Sequence, residues 1–414
     1  MKVNHPKYRK TGACLIFMAL VALSFSAMAP SPSGEKSAAR DAFPKLSPPK
    51  TPVRALQIMD LDCGSWQEVD ARLDEFRAAG VKAIILRVFH NENDGFYRFV
   101  KPRYKRGVYF KTRYAPVVAD VLGPMCELAH SKGIMVLAWM TTRYANYGME
   151  GDEHLRCMAW SFEKKGPELR RGYSPLLPEA QDRMAAIWSD MAKYPIDGVL
   201  IQDDLILKHT EGMNLKARQL YKKATGKDAD PDKFYGKVRK EGGRWLVGEY
   251  TKDFERWARW KNSQLLLLAE RLRRTVQQKR PNRPVGMNLF YETATSPVNA
   301  LRWYSQDMDA TISSDLDFYA FMFYHRQMAD ELRIPREDAV ELIDEALTDL
   351  VGKVDHPQRI WVKVQSVDWD TGTRIPHAEM AEVMGVARRH GPLGLVVIPA
   401  KRSLNLTSLE EIYR

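Results

Sequence analysis

The strongest constraint on this chain is a repeated alternation of short apolar runs with longer amphipathic stretches. The apolar runs are Ala55 to Leu61, Ala83 to Phe89, Ile134 to Met140, Gly198 to Gln202, Val285 to Phe290, Phe318 to Phe323, Ile360 to Val364 and Leu395 to Ile398. Their lengths are those of buried strands. Between them, helical spacing runs over Trp66 to Ala79, Pro116 to Lys132, Pro178 to Lys193, Lys252 to Lys279, Val298 to Met308, Arg336 to Val351 and His377 to His390. In the first of these, Val69, Leu73 and Phe76 recur at the three-to-four-residue interval that one buried helix face demands. Strands alternating with helices lie parallel and are joined by crossovers. Eight such units in 414 residues predict a single-domain (β/α)8 TIM barrel. The alternative is an open doubly wound sheet, which normally carries a glycine-rich phosphate turn after its first strand. Here Asp60-Leu61-Asp62-Cys63-Gly64 occupies that place, and no GxGxxG occurs. Lys208 to Gly248, rich in Lys, Gly and Tyr, reads as an insertion after the fourth strand. It would lie on the face made by the strand C-terminal ends, where barrel sites are built.

The barrel is expected to fill residues 53–414. Lys2, Lys7, Arg9 and Lys10 precede an uncharged apolar run from Ala13 to Ala29, the layout of a secretory signal. Ala27-Met28-Ala29 fits a small-x-small cleavage site, with Ser24-Phe25-Ser26 as the other candidate, and an uncleaved anchor is the alternative. Residues 30–52, dominated by Ser, Pro, Ala and Lys, read as a flexible linker. The expected location is therefore periplasmic or secreted, with membrane contact only through an uncleaved N-terminus.

Net charge is +11, which invites a nucleic-acid or membrane reading. Removing the signal lowers it to +7, and much of the remaining basic character falls between Lys208 and Lys279. That stretch reads as a solvated insertion, so no nucleic-acid partner is expected; a surface for anionic polymer or membrane would rest on net charge alone. Cys63, Cys126 and Cys157 remain after the signal, and three thiols make no disulfide framework. No HxH, HExxH or CxxC spacing occurs, and no GxSxG or P-loop, so no metal or cofactor is expected.

In a barrel, chemistry sits at the strand ends. Those ends carry Asp60 and Asp62, then Arg87 and His90 with Asn91, Asn93 and Asp94 following. Trp139 with Arg143 and Tyr144 comes next, then Gln202-Asp203-Asp204, then Asn288 with Tyr291 and Glu292. Tyr324-His325-Arg326 ends the sixth strand, Lys363 and Gln365 with Asp368 and Trp369 the seventh, and Pro399 and Lys401 the eighth. Carboxylates and aromatics gathered at one rim fit a carbohydrate-processing site. Cleaving a glycosidic bond needs a proton donor and a second carboxylate for the oxocarbenium-like centre. The flat C–H faces of sugars pack on Trp and Tyr. Asp203, Asp204 and Glu292 are the catalytic candidates. Asp60, Asp62, Arg87, Trp139, Tyr144, Gln202, Tyr291, Tyr324, Gln365, Asp368 and Trp369 are the binding candidates.

Asp203 and Asp204 end a strand apolar on both faces. If the strand continued, alternation would send them to opposite sides, Asp204 with Gln202 and Asp203 with Ile201. One would then face the mouth, and the other would cap a loop or meet a basic group; alternation does not say which.

The segment Ile196-Asp197-Gly198-Val199-Leu200-Ile201-Gln202-Asp203-Asp204 resembles the FDGLLFHDD strand of a known family. That family is the C-terminal glycoside-hydrolase domain of bacterial poly-β-1,6-N-acetylglucosamine deacetylase/hydrolases. Ile58 to Asp62, Val136 to Met140, Trp257 to Lys261, Asn288 to Phe290 and Val364 to Trp369 are also similar, in the same order along the chain. The resemblance implies a barrel that cleaves partly de-N-acetylated poly-β-1,6-glucosamine polymers during biofilm polysaccharide export, with Asp203-Asp204 at its centre and export machinery as a possible partner. Three positions depart from the pattern: Gln202 stands for the family His, and Arg326-Gln327 and Lys363 stand where glutamates tend to occur. The family's deacetylase domain has no room before residue 53, so N-deacetylation is not expected. A non-catalytic, polysaccharide-binding or export-assisting barrel is the alternative function.

Overall fold

The computed structural model describes residues 43–92, 94–145, 147, 151–402 and 404–413. The expected signal, most of the linker and Asn93 lie outside the described residues.

Eight parallel strands close a barrel: β1 (Arg54–Ile58), β2 (Ala83–Arg87), β3 (Met135–Met140), β4 (Gly198–Ile201), β5 (Val285–Phe290), β6 (Phe318–Met322), β7 (Ile360–Gln365) and β8 (Gly394–Ile398). Each strand pairs with its sequence neighbours, and β1 closes on β8 through the Arg54–Leu395, Ala55–Val396 and Leu56–Val397 register. The outer helices are α1 (Trp66–Ala78), α2 (Leu122–Ser131), α3 (Pro178–Met191), α4 (Lys252–Lys279), α5 (Pro297–Tyr304), α6 (Arg336–Lys353), α7 (His377–Arg389) and α8 (Leu406–Tyr413). The expected helix from Pro116 begins only at Leu122, because Val117 and Val118 pair with Val108 in extended conformation.

Local chemistry starts the helices where the pattern demands. Ser65 caps α1 by accepting the Glu68 N–H, while the Glu68 carboxylate accepts the Gly64 N–H. Thr251 caps α4 by accepting the Phe254 N–H. In α1 the buried residues are Val69, Leu73 and Phe76, the expected stripe. Every residue of β2, β4, β6, β7 and β8 is buried, as strands packed on both faces require. The three described cysteines are buried free thiols.

The region after β4 holds a helix (Leu215–Thr225) and a hairpin (Tyr235–Glu241 with Arg244–Tyr250). A second hairpin, Arg156–Ser161 with Gly166–Tyr173, is inserted after β3; the alternation pattern did not show it. Its exposed strand breaks the periodicity with Leu169-Arg170-Arg171, all solvent-facing.

The C-terminal end of the expected linker is not free. Arg273 on α4 donates to the carbonyls of Phe43 and Pro44 at 2.9 and 2.7 Å, and Arg359 donates to that of Leu46 at 2.7 Å. The Leu46 N–H in turn donates to Asp317 at 2.9 Å, and the Lys45 ammonium to the Tyr319 hydroxyl at 2.8 Å. Asp317 precedes β6, so this strap is seated at the strand N-terminal end of the barrel, opposite the mouth. No described helix is long and apolar enough to cross a membrane.

Candidate active site

The β4 strand ends at Ile201, whose carbonyl accepts the Asn288 side-chain amide of β5 at 3.1 Å. The Gln202 N–H still donates to the Met140 carbonyl of β3, and then the chain turns. The turn ends the alternation and gives the two aspartates different surroundings. Asp204 is buried, and its oxygens accept from the Thr141 hydroxyl (2.6 Å), the Thr142 hydroxyl (2.9 Å), the Thr142 N–H (3.0 Å) and the Tyr144 N–H (2.8 Å). It therefore holds the loop after β3 in place. Asp203 is half-buried, and no side chain among the described residues hydrogen-bonds its carboxylate. Burial pushes its proton affinity up, the Lys363 ammonium pulls it down, and the charge of Asp204 adds to the rise.

Lys363 is buried on β7 and donates to Asn288 Oδ1 at 2.6 Å, with its ammonium 5.9 Å from the Tyr324 ring centroid. Burial lowers its proton affinity, and Asp203 opposes that. Two strands meet here through side chains inside the barrel, which marks these positions as inward-facing. By register and alternation Trp139, Leu200 and Arg87 share that inward face.

Glu292 opens the short helix after β5 and is 6% exposed. The Tyr304 hydroxyl donates to its Oε1 at 3.2 Å, while Oε2 is buried without a partner among the described residues. Burial pushes its carboxyl up to about 7, which keeps it protonated in weak acid. The neighbouring Tyr291 is committed elsewhere, donating to Glu331 at 3.0 Å.

Several expected carboxylates are already paired. Asp60 meets the Lys401 ammonium at 2.6 Å, and Asp62 meets Arg98 at 2.9 Å on the surface. Asp368 accepts from the N–H groups of Asp370 and Thr371 and lies 3.6 Å from Arg326, which also grips Glu379 at 2.7 Å. Arg87 reaches Asp94 at 3.3 Å and the Gly95 carbonyl. Gln365 donates to the Val367 carbonyl and accepts from the Gln327 N–H. The expected rim of acids thus narrows to Asp203 and to Glu292, which accepts only the Tyr304 hydroxyl among the described side chains.

The aromatic half of the expectation comes together more closely. Tyr324 and Trp369 pack edge to face at 5.5 Å, in one apolar cluster with Met59, Phe290, Met322 and Ile398 from the ends of β1, β5, β6 and β8. Phe290 stacks on Tyr304 at 4.4 Å. The methionines, Ile398 and Tyr304 were not legible as site residues, since each looks like core when read alone. Trp139 packs against Phe89, and its indole N–H, like Gln202 Oε1, is buried with no partner among the described residues. Tyr144 carries the Arg171 guanidinium 4.9 Å from its ring.

The closed parallel barrel thus carries at its mouth an aromatic cluster together with Asp203 and Glu292, two carboxyls with no ion pair among the described residues. The chain belongs to hypothetical glycosyl hydrolase family 13, whose model matches residues 60–395. Among solved structures it is similar to the PgaB (BpsB) glycoside hydrolase domain from Bordetella bronchiseptica. There the TM-score is 0.68 at 20% identity, covering 87% of this chain and 99% of that one. The catalytic domain of a β-amylase from Paenibacillus polymyxa gives 0.54 at 12% identity over 86% and 95% of the two chains. A β-galactosidase from Marinomonas ef1 gives 0.54 at 14%, covering 84% of this chain and 54% of its own. At these identities the likeness is one of fold. No curated protein sequence is significantly similar.

Proposed function

We propose that this protein is an exported glycoside hydrolase that cleaves partly de-N-acetylated poly-β-1,6-N-acetylglucosamine, or a related amino-sugar polysaccharide. One observation carries the reading: two carboxyls at the mouth make no ion pair among the described residues, and burial raises the proton affinity of both, Glu292 the further. Glu292, in an apolar setting that holds its proton to about 7, is the proton donor to the leaving glycosidic oxygen. Asp203, pushed up to about 6 by burial against the pull of the Lys363 ammonium, is ionised near neutral pH and is the carboxylate for the oxocarbenium-like centre. Asp204 is the anchor that holds the loop after β3 beside them. Tyr324 and Trp369 offer the aromatic platform. Where the sugar at the cleavage point keeps its N-acetyl group, the acetamido carbonyl can attack the anomeric carbon in place of Asp203.

Export is supported by the N-terminal pattern of a basic segment followed by an uncharged apolar run. The export machinery remains a proposed partner on the family resemblance.

The test is to incubate the purified protein with partly de-N-acetylated polymer and separate the products by length. Shorter chains from the parent, and none from Glu292→Gln or Asp203→Asn, are expected. Polymer binding without products at any pH from mildly acidic to mildly basic would overturn catalysis and establish the binding-only alternative.

A further inference from the structure

The two inserted hairpins enclose a groove of about 410 Å³. Its walls carry Trp160 and Phe162 from the hairpin after β3, and Lys240 and Trp245 from the hairpin after β4. Both insertions leave the C-terminal ends of their strands, so the groove opens on the same face as the mouth.

The groove is built on the catalytic loops. The Trp160 N–H donates to the Thr210 carbonyl at 2.8 Å, and the Gly212 and Met213 N–H groups donate to the Met158 carbonyl at 2.9 Å. This joins the first hairpin to the turn that follows Asp203-Asp204. Glu211 in that turn is clamped by the buried Arg143 guanidinium at 2.7 Å, and the Lys261 ammonium donates to the Lys208 carbonyl at 3.0 Å. A second connection runs from Asp204 through the Tyr144 N–H, whose ring carries Arg171 of the first hairpin.

Trp245 is 37% exposed, although Phe162 lies 6.0 Å away and a folded hairpin has no need of a solvent-facing indole. Both carboxylates of the groove are already used. Glu163 is paired with Lys240 at 2.6 Å and accepts the Trp245 indole N–H at 3.2 Å; Glu168 is paired with Arg170 at 2.6 Å. A free glucosamine ammonium would find cations here and no unpaired acid. An N-acetylated sugar is neutral, presents C–H faces to indole, and can exchange hydrogen bonds with ion-paired side chains.

Resting on the polysaccharide reading above, we infer that this groove is a distal subsite for an N-acetylated stretch of the polymer whose cleavage point lies at the mouth. The protein would grip long chains at two places and prefer them over short ones.

Calorimetric titration of the Asp203→Asn protein reads binding apart from cleavage. The probes are long, fully N-acetylated poly-β-1,6-N-acetylglucosamine, the same chains after chemical de-N-acetylation, and a short acetylated oligomer. Adding Trp245→Ala should weaken the long acetylated chain about tenfold relative to the short oligomer. Trp245→Phe should recover most of that loss, which separates stacking from misfolding. Leu169→Ala, on the facing hairpin and outside the groove lining, should leave the long-to-short ratio unchanged. De-N-acetylation should abolish the sensitivity to Trp245. An unchanged ratio in Trp245→Ala, or a tighter grip on the de-N-acetylated chain through Trp245, would overturn the subsite. If the subsite behaves as expected while the parent chain yields no products, the failure belongs to the hydrolase reading alone.

Discussion

Lys363 on β7 and Asn288 on β5 meet inside the barrel, Nζ to Oδ1 at 2.6 Å, on strands separated by β6. The contact fixes the ammonium below the mouth, where its charge acts on Asp203. Removing it in Lys363→Met takes away the interaction that lowers the Asp203 proton affinity, so that affinity rises. With Asp203 acting as the carboxylate, the acidic limb of the kcat/KM profile moves to higher pH. A profile whose acidic limb stays in place would separate Lys363 from the reaction.

The adjacent aspartates should fail in different ways. Asp204→Ala leaves the Thr142 and Tyr144 N–H groups without their acceptor and should cost about 3 kcal/mol, read by urea unfolding. Asp203→Asn breaks no such contact. It should show no such loss of unfolding free energy and should lower kcat by at least about a hundredfold.

Glu292 makes stability depend on pH. Its folded carboxyl is pushed up to about 7 from an ordinary 4.5, so the folded state binds the extra proton between those values. Its contribution therefore favours folding less as pH rises through that window, by about 3 kcal/mol in full. Glu292→Gln should gain Tm relative to the parent at pH 8 and gain little at pH 4. An equal difference at both would refute the assignment.

The strap at the barrel base is testable in the same way. Arg273 is bound by Asp317 at 2.9 Å as well as by the strap carbonyls, and both side chains are buried. Arg273→Met strands the Asp317 charge and should destabilise by about 3–5 kcal/mol. Lys45→Ala removes a half-buried donor to the Tyr319 hydroxyl and to the Ile312 and Ser314 carbonyls, strands no buried charge, and should cost about 1 kcal/mol.

The barrel itself was legible because burial on both faces forces near-continuous apolar strands, and one-sided burial forces a helical stripe. Val285–Phe290 and Lys252–Lys279 match their expected bounds, and the other barrel strands differ by a few residues at their ends. The hairpin after β3 was not legible. A two-stranded arm buries little, so its sequence carries charge and no clean alternation.

The sequence by itself determined the barrel, its direction and the set of side chains at the mouth, since these follow from periodicity and chain order. Tertiary structure alone decided which of them are spoken for. Asp60, Asp62 and Asp368 look as available as Asp203 in the sequence, yet each meets a cation brought from a distant segment. Asp203 and Asp204 differ because β4 ends at Ile201 and the chain turns, so strand alternation no longer assigns their sides. Charge compensation and desolvation depend on neighbours in space, and those neighbours lie up to 341 residues apart.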